Sequence, residues 1–118
     1  MAKVSIDKSE RDGVTVLSFT QKNVNITEEN VHDLGSDLLN EAAGADPPKV
    51  ILDLGNVEFF GSSFIESMFV VWKALSAKNG RFAICQLHPY CETVLSVTNL
   101  TTVWEIYPTV DEAVAALK

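Results

Sequence analysis

At 118 residues, 47% of them apolar, the chain is long enough to bury one core and too short to be expected to hold two domains. Nine Lys and Arg against sixteen Asp and Glu leave a net charge of −7, which argues against direct nucleic-acid binding through phosphate neutralisation. No run approaches the roughly 18 uninterrupted apolar residues of a membrane span, and the opening MAKVSIDKSERDG is charged where a secretion signal is apolar, so residues 1–118 read as one cytoplasmic domain without membrane insertion.

Val4 and Ile6 alternate with polar residues up to a turn at Asp12 and Gly13, and Val14, Val16, Leu17 and Phe19 make a second extended run, together a β-hairpin. A polar loop over 21–25 follows. Val31, Leu34, Leu38 and Ala42 then repeat at helical spacing until Gly44, and Pro47 and Pro48 forbid continuation. Asn25, a short polar residue, is suited to cap a helix beginning near Ile26. Val50, Ile51, Leu52 and Leu54 read as a central strand covered on both faces. A short loop leads to a helix with Ile65, Met68, Phe69, Trp72 and Leu75 on one stripe, closed by Asn79 and Gly80.

Residues 82–87 form the next apolar strand, and a strand, helix, strand unit of this length implies parallel pairing with a right-handed crossover. Pro89 suits the first turn of a short helix carrying Val94 and Leu95. Residues 103–107 form a last extended run, and Thr109 with Glu112 frames a capping box for a terminal helix. Trp72 and Trp104 are assigned to packing. The result is an α/β domain with a mixed, mostly parallel sheet and about four helices.

The segment VILDLGNVEFFGSSFIES over 50–67 is where function concentrates, because it sets two hydroxyls at a helix N-terminus beyond the end of a central strand. Ser63 reads as the N-cap, with Glu66 three residues on completing a capping box. A phosphoryl group on either serine would meet the positive end of the helix dipole. Among Phe59, Phe60 and Phe64, exposed contact residues are expected, with at least one in the core.

The run VILDLGNVEFFGSSFIESMFVVWKALSAKNGRFAIC, with the TxxEAxxAL-like ending over 109–117, resembles the STAS domain of bacterial anti-sigma factor antagonists over nearly the whole chain. That family carries a D-S-[ST]-G-like motif whose first serine is phosphorylated by a partner that is both serine kinase and anti-sigma factor. The resemblance makes Ser62 the phosphoacceptor and Ser63 the next hydroxyl. It implies that the unmodified protein binds the anti-sigma factor and frees a sigma factor, that phosphorylation breaks the complex, and that a phosphatase can reset it. Partner contacts are expected at Asn25, Gly61, Ser62, Ser63, Phe64 and Ile65. Gly61 stands where the motif has aspartate, Phe64 replaces the small residue, and Asn25 stands where many relatives carry aspartate. Phe64 is expected either to cover Ser62 or to offer an aromatic anchor. Some STAS proteins instead serve as unphosphorylated adaptors in signalling or lipid-transport assemblies.

Catalytic readings fare worse. Asp53 at a strand end resembles a receiver-domain phosphoacceptor, but the acidic pair and the lysine of that site are missing, so Asp53 is expected to bond loop amides. Gly61, Ser62 and Ser63 faintly resemble a nucleophile elbow, yet the second glycine is absent. The two histidines, His32 in the middle of the first helix and His88 before Pro89, are poorly placed as a base. Cys85 and Cys91 lack metal or redox spacing and read as buried thiols. No enzymatic activity, metal or cofactor is expected.

Overall fold

A computed structural model describes residues 5–118, placing Val4 of the expected hairpin outside the described residues. β1 (Ile6–Arg11) turns through Asp12 and Gly13, both at positive φ, into β2 (Val14–Phe19). This is the two-residue hairpin turn whose twist matches the flanking strands. β3 (Val24–Ile26), α1 (Val31–Ala43), β4 (Lys49–Asp53), β5 (Val57–Phe60) and α2 (Ser62–Ser76) follow. β6 (Arg81–Cys85), α3 (Pro89–Val97), a 3₁₀ turn (Leu100–Thr102), β7 (Glu105–Tyr107) and α4 (Val110–Leu117) complete the chain.

The main sheet runs β1-β2-β4-β6-β7, with β1 antiparallel to β2 and all other neighbours parallel. The expected mixed, mostly parallel α/β domain with four helices is what forms. Alternation along the central strand divides the core: Val50 and Leu52 face the layer of α1, α2 and α3, while Ile51 faces α4 through Ala113, Val114 and Leu117. That two-sided burial is why Val50, Ile51 and Leu52 of β4 are all apolar. Pro89 opens α3, and the Thr109 hydroxyl accepts from the Glu112 N–H at 3.1 Å. Trp104 is buried beside Phe69 and Phe82, as assigned.

Four expectations need correction. Residues 24–26 and 57–60 are not loop: β3 and β5 pair in parallel as a separate two-stranded sheet. Strands of three and four residues are too short to show a period, and only their mutual pairing makes them strands. Consequently the first helix starts at Val31 rather than near Ile26, with Asn30 at the N-cap, and Asn25 is a strand residue that caps nothing. His32 therefore lies in the first turn of α1, not its middle. The final strand starts at Glu105, because Val103 belongs to the turn that follows the 3₁₀ segment.

β6 and β7 are clasped at one end by Arg81, whose Nε donates to Glu105 Oε2 at 3.0 Å and whose Nη2 donates to Glu105 Oε1. Arg81 Nη1 also reaches the Ala116 carbonyl at 2.9 Å, and the Tyr107 hydroxyl donates to Glu105 Oε1 at 2.8 Å. Burial pushes the Glu105 carboxyl up, but the hydrogen bonds from Arg81 and Tyr107 and the Arg81 charge outweigh it and hold the group below its ordinary value. A carboxylate depressed in the folded state stabilises above its unfolded pKa and loses that contribution as pH falls. Glu105→Gln is therefore expected to lower stability at pH 7, and urea titrations should show the gap to wild type closing as pH drops below about 4.3.

Candidate functional site

Parallel pairing sets Ile26 beside Phe60, so β3 and β5 release the chain on the same side. Both exits lead into helices: residues 27–30 into α1 and Gly61 into α2. The first turn is organised by Asn30, whose Oδ1 accepts from the Thr27 N–H at 2.8 Å and whose Nδ2 donates to the Asn25 carbonyl at 3.0 Å. The two helix starts are latched together by the Ser63 hydroxyl donating to Glu28 Oε1 at 2.9 Å.

This latch replaces the expected cap. The N-cap of α2 is Gly61, in extended conformation and without a side-chain cap bond, so Ser62, Ser63 and Phe64 are the first three helical residues. Ser63 is not a cap, and Glu66 closes no capping box with it. Helix formation begins two residues earlier than the serine pattern suggests because Phe64 is drawn fully into the core, with its ring centroid 5.4 Å from Phe60 and 6.5 Å from Phe19. Phe64 thus neither covers Ser62 nor presents an aromatic anchor; it is removed from the surface contact set. Phe60 is core as well, and Phe59 is exposed against Tyr90.

Of the remaining site residues, Asn25 and Ser62 are exposed, while Gly61, Ser63 and Ile65 are half-buried. A Cβ added to Gly61 would meet nothing within 4 Å, so no steric reason keeps a side chain from that position. From the latch a shallow groove of about 260 Å³ runs between α1 and α2, lined by Val31, His32, Ser63, Glu66, Ser67 and Val70. The helices approach closely at Gly35, where a Cβ would lie 2.6 Å from Ser67 Oγ. Ser67 and Val70 were invisible as groove residues in the sequence, since their partner helix could not be assigned.

Asp53 and His88, both weighed for catalysis, are otherwise engaged. Asp53 Oδ1 accepts from the Gly55 N–H at 2.9 Å and from Gln86 Nε2 at 2.8 Å, the loop-bracing role expected of it. His88 Nε2 lies 2.8 Å from the Gly55 carbonyl, which can only accept, so that nitrogen carries the proton. Burial, helped by the Asp53 charge, pushes the Cys85 thiol up to about 12, and burial also raises Cys91, so both are neutral and unreactive. Among the described residues no group of three or more His, Cys, Asp or Glu side chains could hold a metal, and no helix is long and apolar enough to cross a membrane.

The STAS domain family profile matches residues 5–113. An anti-sigma-factor antagonist (STAS) domain protein from Planctomyces limnophilus is 41% identical and superimposes with a TM-score of 0.86, covering 96% of this chain and 97% of that one. An anti-sigma factor antagonist from Mycobacterium paratuberculosis is 25% identical with a TM-score of 0.83, covering 97% and 93%. The TM1081 protein of Thermotoga maritima is 28% identical with a TM-score of 0.83, covering 95% and 93%. The chain belongs to the STAS domain family, and its relatives include anti-sigma factor antagonists.

Thermal and urea unfolding should separate the neighbouring residues of α2. Phe64→Ala is expected to cost about 3–5 kcal/mol through the cavity it leaves, whereas Ser63→Ala should cost under about 1 kcal/mol because only an exposed hydrogen bond is lost. Gly61→Asp should instead raise stability by roughly a few tenths of a kcal/mol, by supplying the missing N-cap acceptor.

Proposed function

We propose that this protein is an anti-sigma factor antagonist that binds an anti-sigma factor with serine kinase activity, releases the sigma factor held by it, and is switched off by phosphorylation of Ser62. The observation that carries this reading is the exposure of Ser62 at the first position of α2, next to a serine engaged by Glu28 and a phenylalanine committed to the core. Only the first of the three is free to be modified without disturbing the fold. The contact surface is then Asn25, Gly61, Ser62, Ser63 and Ile65, continued by the groove between α1 and α2. The protein is the substrate of its partner and has no catalytic role of its own, and a phosphatase would reverse the modification.

The switch is electrostatic. A phosphoryl group at a helix start gains about 0.3–1 kcal/mol from the helix dipole, so the modified fold survives. It also adds about −1.5 to −2 charge, one helical turn from Glu66 and beside the latch carboxylate Glu28, on a chain already at −7. Burying that charge under a partner is costly, and binding fails.

Gly61 in place of the motif aspartate favours a second reading, in which the same surface belongs to an unphosphorylated adaptor in a larger signalling or lipid-transport assembly. Titration of Ser62→Asp and wild type against the cognate anti-sigma factor separates the two. The switch reading expects the Asp variant to bind at least about tenfold more weakly, a loss of about 1.4 kcal/mol or more, with an unchanged circular dichroism spectrum. Equal affinities, together with an unmodified Ser62 in protein isolated from its own cells, would discard the switch in favour of the adaptor.

A further inference from the structure

The outer edge of β1 offers a surface that the reading above does not use. β1 is the terminal strand of the five-stranded sheet, and five of its six residues are exposed. The Ser5 carbonyl accepts from the Thr20 N–H at 3.0 Å, and the register pairs Asp7 with Ser18, Ser9 with Val16 and Arg11 with Val14. Odd-numbered residues therefore bond inward to β2, and the N–H and C=O groups of Ile6, Lys8 and Glu10 point out of the sheet. Charged side chains on such an edge ordinarily deter pairing. Here their order does the opposite for one partner.

We propose that β1 pairs antiparallel with β1 of a second copy, on a two-fold axis through Ser9, joining the two five-stranded sheets into one. In that register Asp7 of each copy lies across from the other's Arg11, and Lys8 lies across from the other's Glu10. Four opposite-charge pairs form and no like-charge pair does. Lys8 and Glu10, whose backbones face outward, become the hydrogen-bonded pairs, and Ser9 meets its own copy in the close, non-bonded position. An axis through Lys8 sets two ammonium groups opposite each other, and one through Glu10 sets two carboxylates opposite each other. Registers that match an outward residue with an inward one cannot hydrogen-bond. Charge and backbone geometry thus select the same alignment. β1 itself is neutral, with two acids against two bases, so the self-repulsion of a chain at −7 is least along this edge.

Alternation places the charges compatibly with the rest of the fold. Lys8 lies 3.6 Å from Glu41 of α1 on one face, and Arg11 lies 2.6 Å from Asp111 of α4 on the other. These pairs are exposed and weak, and each cation can accept a second carboxylate from the partner copy. Since α2 packs on α1, β5 and β6, its N-terminus stays outside the contact. The edge of six residues is well short of a standard interface, so the dimer is weak, concentration-dependent and salt-sensitive.

Sedimentation equilibrium of the full chain at low salt tests this. Wild type is expected to show a monomer–dimer equilibrium that added salt shifts toward monomer. Lys8→Glu alone and Glu10→Lys alone each create two like-charge pairs and should weaken dimerisation by roughly tenfold. The combined Lys8→Glu, Glu10→Lys variant restores opposite pairs and should recover the dimer, which a merely destabilised edge would not do. Ser9→Cys provides a second readout: two Cα atoms about 4.5 Å apart lie within disulfide range, so oxidation should give a covalent dimer, and Cys85 and Cys91 are buried away from it. A monomer at every accessible concentration, or a dimer indifferent to all these changes, overturns the proposal.

Discussion

The parallel pairing of β3 with β5 is the constraint on which the candidate site depends. It is anchored by the Val24 N–H donating to the Asn56 carbonyl at 2.7 Å and by Asn56 Nδ2 donating to the Phe19 carbonyl at 2.7 Å, which ties the small sheet to the end of β2. Below it, Phe19, Phe60 and Phe64 pack as adjoining rings. Residues far apart in the chain thereby deliver two helix starts to one edge, and the Glu28 to Ser63 bond then has only a short gap to close. Were β3 and β5 to slip, Asn25 and Ser62 would no longer share a surface.

Three consecutive residues at that edge meet three environments. Successive side chains on a helix point about 100° apart, so Ser62 faces water, Ser63 faces the first turn of the neighbouring chain segment, and Phe64 faces the core. The division has a mechanical consequence. Phe64 anchors the helix start in the core, and Ser63 couples that start to the turn before α1. The thiols are buried, Asp53 accepts from Gly55 and Gln86, and His88 is bonded to the Gly55 carbonyl.

Much of this was legible in the chain. The apolar run Val50 to Leu52 within β4, the helical stripe of α2, Pro89 at the start of α3 and the Thr109 cap each follow from local rules, because each depends on neighbours within a few positions. The serine pair and its family resemblance directed attention to the edge where α2 begins. What the chain misstated there was the cap: a serine followed three residues later by glutamate satisfies the capping pattern, but the pull of Phe64 into the core started the helix at Ser62 instead. The small sheet was missed for the complementary reason, as β3 has three residues and takes its identity from β5, more than thirty positions away.

The sequence by itself determined the fold class, the order of the large elements and the placing of a serine pair at the start of the second large helix, since periodicity, turn residues and charge are local or additive properties. Only the tertiary structure decided which of Ser62, Ser63 and Phe64 is exposed, that Glu28 is the partner of Ser63, and that α1 and α2 enclose a groove. Those outcomes rest on distances between segments remote in the chain, and they are fixed by the competition of one aromatic side chain for the core against one hydroxyl for a cap. Burying a phenylalanine is worth about 1.5–3 kcal/mol and a cap about 1 kcal/mol, so the core won.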